Sequence, residues 1–483
     1  MKPENSWQNN SDSKLAENIA QFPAVPVDEQ ISTLPISPDF PPTLYQGRRV
    51  KAALLLIIIW GIILTLHLLS WGSWVVWSLT GVLWIQAFRV LFAQPKPTPE
   101  PLKEENRQKW PFVSLLVAAK NEEAVIGNLV KSICNLDYPR DRYELWVIDD
   151  NSTDKTPLVL EQLTQEYSQL KIFRRPPNAT GGKSGALNQV FSLTKGEFVG
   201  VFDADAQVAP ELLREMLPLF DQEKVGAVQV QKAIANAPLN FWTRGQEAEM
   251  ALDSFFQQQR IAIGGIGELR GNGQFVRRSA LESCGGWNEE TITDDLDLTM
   301  RLHLDQWDIE FLLLPAVWEE GVKTPLALWH QRNRWAEGGY QRYLDYFPLI
   351  VKNPMGIGKS WDLFGFWITQ YILPTAAIPD LLIAIARHSL PLTTPLTFLT
   401  LTLSLVGMFG GLRRTQGQKD AKGDNLLVPS LFVTCWQALR GTVYMLHWFV
   451  VMGSVTARIS VLPKRLKWVK TQHSGSETVI ETA

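Results

Sequence analysis

Cysteine is scarce in this 483-residue chain: Cys134, Cys284 and Cys435 are far apart and odd in number. That excludes a disulfide framework and a thiolate metal site, and implies reduced thiols. No excess of positive charge exists either, since 46 Lys and Arg stand against 49 Asp and Glu for a net charge of -3. A nucleic-acid binder is thereby excluded, because nothing domain-wide would neutralise phosphates. The first 46 residues lack any sustained apolar period and read as a polar, proline-containing disordered tail, too long and too acidic at its start for a secretory signal. Charge is also nearly missing from the apolar runs farther on. Asp380 and Arg440 stand out among the few there are, and a transporter would need more.

What the chain does hold is 46% hydrophobic residues and 19 tryptophans, many of them in or beside apolar runs. This composition fits a membrane-attached enzyme, with the indoles at the bilayer interface. Residues 52–69 and 74–92 are each long enough to cross a bilayer, so 47–93 reads as a helical hairpin. Arg48, Arg49 and Lys51 precede the first span, and Lys96, Lys103, Arg107 and Lys109 follow the second, which puts both ends in the cytosol. Farther on, residues 361–456 form a C-terminal membrane region with spans at 361–386 and 392–412, and 457–483 a basic cytosolic tail. The stretch 426–455 contains Gln437 and Arg440 and has basic flanks on both sides, which conflicts with one simple crossing.

Between the membrane parts, residues 111–322 alternate short apolar strands with amphipathic helices, the pattern of an α/β domain on a mainly parallel sheet. Ligands bind at the carboxyl ends of such strands, and the polar residues collect there. Phe198–Phe202 reads as a buried central strand that runs into Asp203-Ala-Asp205. The i, i+2 spacing lets both carboxylates face one divalent cation, Mg²⁺ or Mn²⁺, held against a nucleotide diphosphate. Asp149 and Asp150 end an earlier strand, where Asp150 can accept hydrogen bonds from a base or ribose. Ser152 and Asp154, just beyond, read equally well as caps of the next helix. Gly181-Gly-Lys-Ser-Gly is not a Walker loop, yet Lys183 beside a helix start suits a diphosphate.

Thr293-Asp-Asp-Leu-Asp leads into an apolar helix. Adjacent carboxylates raise each other's pKa, so Asp295, or its neighbour Asp294, can serve as a general base. Residues 323–350 carry an amphipathic helix suited to the membrane interface. Within it Gln331, Arg334 and Trp335 share one turn and offer an amide, a guanidinium for phosphate and a flat ring for a sugar or acceptor.

Taken in order, Ala118-Ala-Lys-Asn-Glu-Glu123, Asp-Asp-X-Ser-X-Asp, Gly-Gly-Lys, Asp-X-Asp, Thr-Asp-Asp and Gln-X-X-Arg-Trp resemble the family 2 glycosyltransferases, which have a GT-A fold and include cellulose and hyaluronan synthases. The resemblance implies that Asp149, Asp150 and Lys183 bind the nucleotide part of a UDP-sugar and that Asp203 and Asp205 hold the metal. It implies Asp295 as base, with Gln331, Arg334 and Trp335 on diphosphate and acceptor. The family usually writes Thr-Glu-Asp where this chain has Asp294 in the middle, which leaves the choice between Asp294 and Asp295 open. Inverting transfer from an α-linked donor would give a β-glycoside. The overall layout is similar to that of the glycolipid-forming members of the family in cyanobacteria, implying glucose transfer from UDP-glucose to diacylglycerol in the membrane, with no obligate protein partner. Processive polysaccharide synthesis is the alternative.

Overall fold

The computed structural model describes residues 39–415 and 429–462. The expectations placed on 1–38, on the basic loop at 416–428 and on 463–483 lie outside the described residues. Two long apolar helices come first, α1 (Arg48–Leu68) and α2 (Gly72–Leu91), antiparallel across a tight turn at Leu69–Gly72. Ile57, Trp74 and Ile85 project outward from them, as a lipid-facing surface requires.

Seven strands follow: β1 (Val113–Ala119), β2 (Tyr143–Asp149), β3 (Leu170–Arg174), β4 (Phe198–Phe202), β5 (Val225–Ile234), β6 (Gln274–Arg277) and β7 (Asp308–Glu319). They form one sheet in the order β3-β2-β1-β4-β6-β5-β7, parallel throughout except for β6. The central strands are continuous apolar runs because both faces are covered. On one side Val113, Leu115 and Val117 meet Ile126, Leu129 and Ile133 of α3 (Ile126–Cys134) and Leu160 of α4 (Thr156–Glu166). On the other, Leu116 and Ile148 meet Leu187 of α5 (Gly182–Phe191).

A long helix, α6 (Phe241–Ala262), begins at an Asn240 capping box and runs beneath the sheet toward the membrane helices. Two more elements close the domain: α7 (Asp294–Leu304) and the 28-residue α8 (Pro325–Lys352). Then come α9 (Ile357–Arg387), continuous but with a π-turn at Ile368–Ile372, and α10 (Thr394–Thr415). Among the described residues, four helices are long and apolar enough to cross a membrane: α1, α2, α9 and α10. Asp380, in the second half of α9, is satisfied where α9 turns into α10. Its carboxylate accepts the Leu392 and Thr393 N–H groups at 2.9 and 2.8 Å and lies 2.7 Å from His67 Nε2.

The ambiguous apolar stretch resolves into two 15-residue helices, α11 (Leu431–Met445) and α12 (His447–Val461). At 1.5 Å per residue each spans roughly 22 Å, short of the ~30 Å hydrocarbon core. Arg413 donates to the Pro429 carbonyl just before the pair, and Arg458 pairs with Glu337 at its end. The end of the pair thus lies against α8. Two boundaries also shift. Residues 39–46 are packed, not free, with Phe40 buried edge-on against Tyr346, and α12 extends past 456 because Arg458 has a buried partner.

The junction between the halves is a buried ion pair. Arg332 of α8 binds Glu249 of α6, which also accepts the Tyr444 hydroxyl at 3.1 Å and the Trp448 indole N–H at 2.8 Å. Removing one member of such a pair leaves a buried charge uncompensated and costs about 3–5 kcal/mol. Glu249→Ala should therefore lower the unfolding midpoint of the detergent-purified protein strongly. Glu100→Ala, which breaks the exposed Lys103–Glu100 pair, should leave it unchanged. Equal midpoints for the two variants would remove this junction from the account.

Candidate active site

Parallel pairing of β1 with β2 and β4 brings three strand ends to one edge, with Ala119 opposite Asp149 and Val117 opposite Phe202. The loops after them are laced together. Ser152 Oγ accepts the Asn121 N–H at 2.9 Å, and Asp154 accepts those of Thr156 and Glu123 at 2.9 and 3.2 Å. Ser152 and Asp154 are thus turn and cap residues. Asp149 is 1% exposed, with its carboxylate on the Ser152 N–H and 3.4 Å from Arg174 Nε. Asp150 opens to the cleft and is held by Arg175 at 2.6 Å. Arg175, fully buried, also donates to the Thr180 and Gly182 carbonyls and so ties Asp150 to the Gly-Gly-Lys loop. That loop needs glycine at 181, where φ is +80° and a Cβ would sit 2.2 Å from the Glu289 carboxylate.

Lys183 stands at the start of α5 and reaches Asp203 at 2.7 Å. Burial opposes its charge, but Asp203, Asp294 and Asp295 outweigh that and hold its ammonium above the usual lysine range. Burial likewise works against Asp203, and Lys183 reverses the effect, leaving the carboxyl below its ordinary value. Asp205 behaves oppositely. Burial, then the nearby Glu319 and Asp203, push it up to about 7, although it accepts the Glu320 N–H at 2.9 Å. Three carboxylates are crowded here, an excess of negative charge that a divalent cation would offset. Among the described residues no group of three or more His, Cys, Asp and Glu forms a ready-made cage. A pair of hard oxygen donors fits an ion that takes its other positions from diphosphate and water.

The first turn of α7 supplies Asp294 and Asp295, which the helix N-terminus favours as anions. Burial and then Asp294 raise the Asp295 carboxyl to about 6, against the pull of its bond from the Leu296 N–H. One oxygen of Asp294 and the Thr293 hydroxyl are buried without a hydrogen-bond partner among the described residues. Asp297, the third acid of the motif, is structural, bonded to Arg301, Asn288 and Tyr346 at 2.8 Å each.

Opposite lies α8. Arg334 loses some basicity to burial while Asp203, Asp295 and Asp294 sustain its charge. The Lys232 ammonium lies 5.2 Å from the centroid of the Trp335 ring and the Arg332 guanidinium 4.0 Å from it, a cation–π arrangement that fixes the indole. The Gln331 carbonyl is taken by Arg332 at 2.6 Å. The structure thus gathers Lys183, Asp203, Asp205, Asp294, Asp295, Arg334 and Trp335, with Asp150 at the rim, whereas Asp149 is sealed behind the strand and Gln331 is engaged with its own helix. Sequence reasoning missed Lys232, which pairs with Glu319 at 3.2 Å and bears on both Asp203 and Asp295. A lysine inside the otherwise buried β5 was the available signal.

A cavity of about 360 Å³ starts at Asp295, Lys232 and Trp335 and continues between the apolar faces of α2, α6, α9, α10 and α12. Asp295 lines it and Asp294 does not. Its buried arginines are already paired: Arg260 with Asp362 at 2.8 Å, Arg270 with Asp253 at 2.6 Å and Arg342 with Glu268 at 2.6 Å.

Residues 111–338 match the glycosyltransferase like family 2. The chain is 60% identical to the beta-monoglucosyldiacylglycerol synthase of Nostoc sp. over 98% of its own length and 99% of that protein. It is 57% identical to the protein of that name from Synechocystis sp., over 89% of each chain. A probable glycosyltransferase of Bacillus subtilis, YdaM, is 30% identical over 77% of this chain and 89% of its own. Among solved structures, the mannosyltransferase PcManGT from Pyrobaculum calidifontis, in complex with GDP-Man and Mn²⁺, shares the fold. It matches 83% of this chain and 99% of its own with a TM-score of 0.50 and 21% identity. The sheet and its flanking helices are a GT-A domain, and identity at this level over nearly the whole length makes the chain a membrane-associated member of the family 2 glycosyltransferases.

Proposed function

We propose that the protein transfers glucose from UDP-glucose to 1,2-diacylglycerol with inversion, giving β-monoglucosyldiacylglycerol, the product in the name of its relatives. The observation that carries this reading is the cavity that joins Asp295 to the apolar helix faces. A lipid hydroxyl can reach the carboxylate through it without its chains entering water. Among the described residues the arginines and Lys232 of the wall are each paired with an acid, which favours a neutral lipid over a phosphorylated headgroup.

In this mechanism Asp150 and the Gly-Gly-Lys loop take the nucleotide, and Lys183 and Arg334 face the diphosphate. Asp203 and Asp205 would hold Mg²⁺ or Mn²⁺, which when bound supplies positive charge to the departing diphosphate. Trp335, braced by two cations, floors the sugar. Asp295 takes the proton of the acceptor hydroxyl as that oxygen attacks the anomeric carbon from the face opposite UDP, and the inverted β-glycoside follows. The catalytic domain lies in the cytosol and the protein is multi-pass, as the basic flanks of α1 and α2 support.

Detergent-purified protein given labelled UDP-glucose, Mg²⁺ and diacylglycerol should form one chloroform-soluble product. Chelator or Asp203→Ala should abolish it, and label in a polymer indifferent to diacylglycerol would instead establish polysaccharide synthesis. Asp295 must be ionised to accept a proton, so at saturating metal kcat/KM should plateau above about pH 6. Below that it should fall by about tenfold per pH unit. Asp295→Asn should lose about 10²-fold or more while still binding UDP; near-normal turnover in that variant alongside an inactive Asp294→Asn would exchange their roles. For the topology, a cysteine at Asn106 in a Cys435→Ser background should resist a membrane-impermeant maleimide on intact cells. Efficient labelling would reverse the orientation.

A further inference from the structure

The π-turn of α9 puts Thr369, Gln370 and Tyr371 on the wall of the cavity. Such turns insert one residue into a helix and re-aim its side chains, and they recur at functional sites. Two residues past the end of the turn, Pro374 has no N–H to return to the Gln370 carbonyl, so regular α-geometry is already interrupted at this point. Four other polar side chains along the membrane part of the wall have local partners. Thr369 donates to the Gly365 carbonyl at 3.0 Å, Thr400 to Thr397 at 2.9 Å, Thr442 to Ala438 at 2.9 Å, and Gln86 accepts from Arg89 at 3.2 Å. Ser404 and Gln370 differ: neither side chain has a hydrogen-bond partner among the described residues, and of the two only Gln370 offers two N–H donors. An amide facing an apolar chamber in a membrane helix is costly unless something bonds to it.

Its position relative to the base is fixed by two adjacent glycines of α8. A Cβ at Gly338 would lie 2.0 Å from the Thr293 hydroxyl, and one at Gly339 2.0 Å from the Tyr371 hydroxyl. Thr293 is two residues before Asp295, and Tyr371 is next to Gln370. The helix start that carries the base and the π-turn that carries the amide therefore press on neighbouring residues of α8, one turn beyond Trp335. In a diacylglycerol whose free hydroxyl meets Asp295, the ester carbonyls are the next polar atoms, only a few bonds away. They are pure acceptors, and a glutamine amide has two N–H donors to give.

Resting on the lipid-acceptor reading above, we propose that Gln370 is a positioning residue that donates a hydrogen bond to an ester carbonyl of the acceptor. It thereby selects diacyl over dialkyl glycerol and sets the depth at which the free hydroxyl presents itself to Asp295. It touches neither the donor nor the base, so donor handling is independent of it.

The test compares dioleoylglycerol with its dioleyl ether analogue, which keeps the hydroxyl and chains but lacks both carbonyls. Purified wild-type enzyme in mixed micelles should favour the ester in kcat/KM by about tenfold, the worth of one buried hydrogen bond. Gln370→Leu should lose about that factor on the ester, through a higher KM for diacylglycerol. Turnover of the ether lipid and the KM for UDP-glucose should not change, and the ester-to-ether ratio should collapse to about one. Gln370→Glu, a carboxylate with no N–H when ionised, should behave as the leucine variant does. Ether turnover serves as the control for folding in each. A wild type indifferent to ester and ether, or a Gln370→Leu enzyme that keeps the wild-type ratio, overturns the proposal while leaving lipid glucosylation standing. Failure of the wild type to glucosylate either lipid overturns both.

Discussion

The buried pair of Arg332 with Glu249 joins the part of this protein that meets water to the part that meets lipid. Arg332 sits between Gln331 and Arg334 in the motif, so the charge that fastens α8 to α6 is two residues from the one that faces the carboxylate cluster. Tyr444 and Trp448 bring α11 and α12 to the same carboxylate. One acid thus fixes the helix bearing Arg334 and Trp335, the helix beneath the sheet and the short helix pair that closes the cavity. A donor soluble only in water and an acceptor soluble only in lipid must meet at one carbon. Holding the two sides rigid is what makes that meeting place a fixed distance from Asp295.

Much of the polar cleft at the strand ends was legible because its information is local. A strand that ends in Asp-X-Asp, a glycine pair before a lysine and an acidic helix start each declare themselves within a few residues. Their assembly follows from parallel strand order, which places strand ends together. Roles that depend on distant partners were not legible. Asp149 and Asp150 are adjacent in the chain, yet one faces Arg174 and the Ser152 N–H while the other faces Arg175 and the cleft. Nothing within the dipeptide distinguishes them. Lys232 likewise acquires its meaning only from Glu319 and Trp335, far along the chain. The membrane part shows the same limit in another form. Hydropathy recognises apolar length, but the break at Leu446 that makes two short helices of residues 431–461 falls between Tyr444 and Trp448, which both reach Glu249 on α6, and Phe40 is buried against Tyr346, neither of which the local sequence declares.

The wall of the cavity and its mouth treat charge in opposite ways. Along the wall every arginine has an acidic partner, and Glu268 is held below the ordinary carboxylate range, against its burial, by Arg342, Arg270 and Arg260. These pairs are rigid and electrically closed, so they shape the space without attracting ions. At the mouth the balance is left open. Asp203, Asp205, Asp294, Asp295 and Glu319 crowd around Lys183, Lys232 and Arg334, and the negative excess shows in the raised carboxyls of Asp205 and Asp295.

That raised carboxyl links the two halves chemically. A carboxylate in water is too weak a base to take a proton from an alcohol effectively, and its basicity rises only if water is kept away or negative charge is brought near. Both conditions exist at Asp295: the low-dielectric cavity that would dissolve the acyl chains is the same medium that penalises its charge, and Asp294 adds repulsion. Lys183 and Lys232 then limit the effect, so that the group is still ionised near neutral pH. Moving the base out toward the water-filled cleft would improve its solvation and weaken it as a base. Moving it deeper would leave it protonated. Its place at the first turn of α7, where a helix N-terminus meets the head of an apolar chamber, is the depth at which a lipid hydroxyl and an ionised carboxylate can coexist.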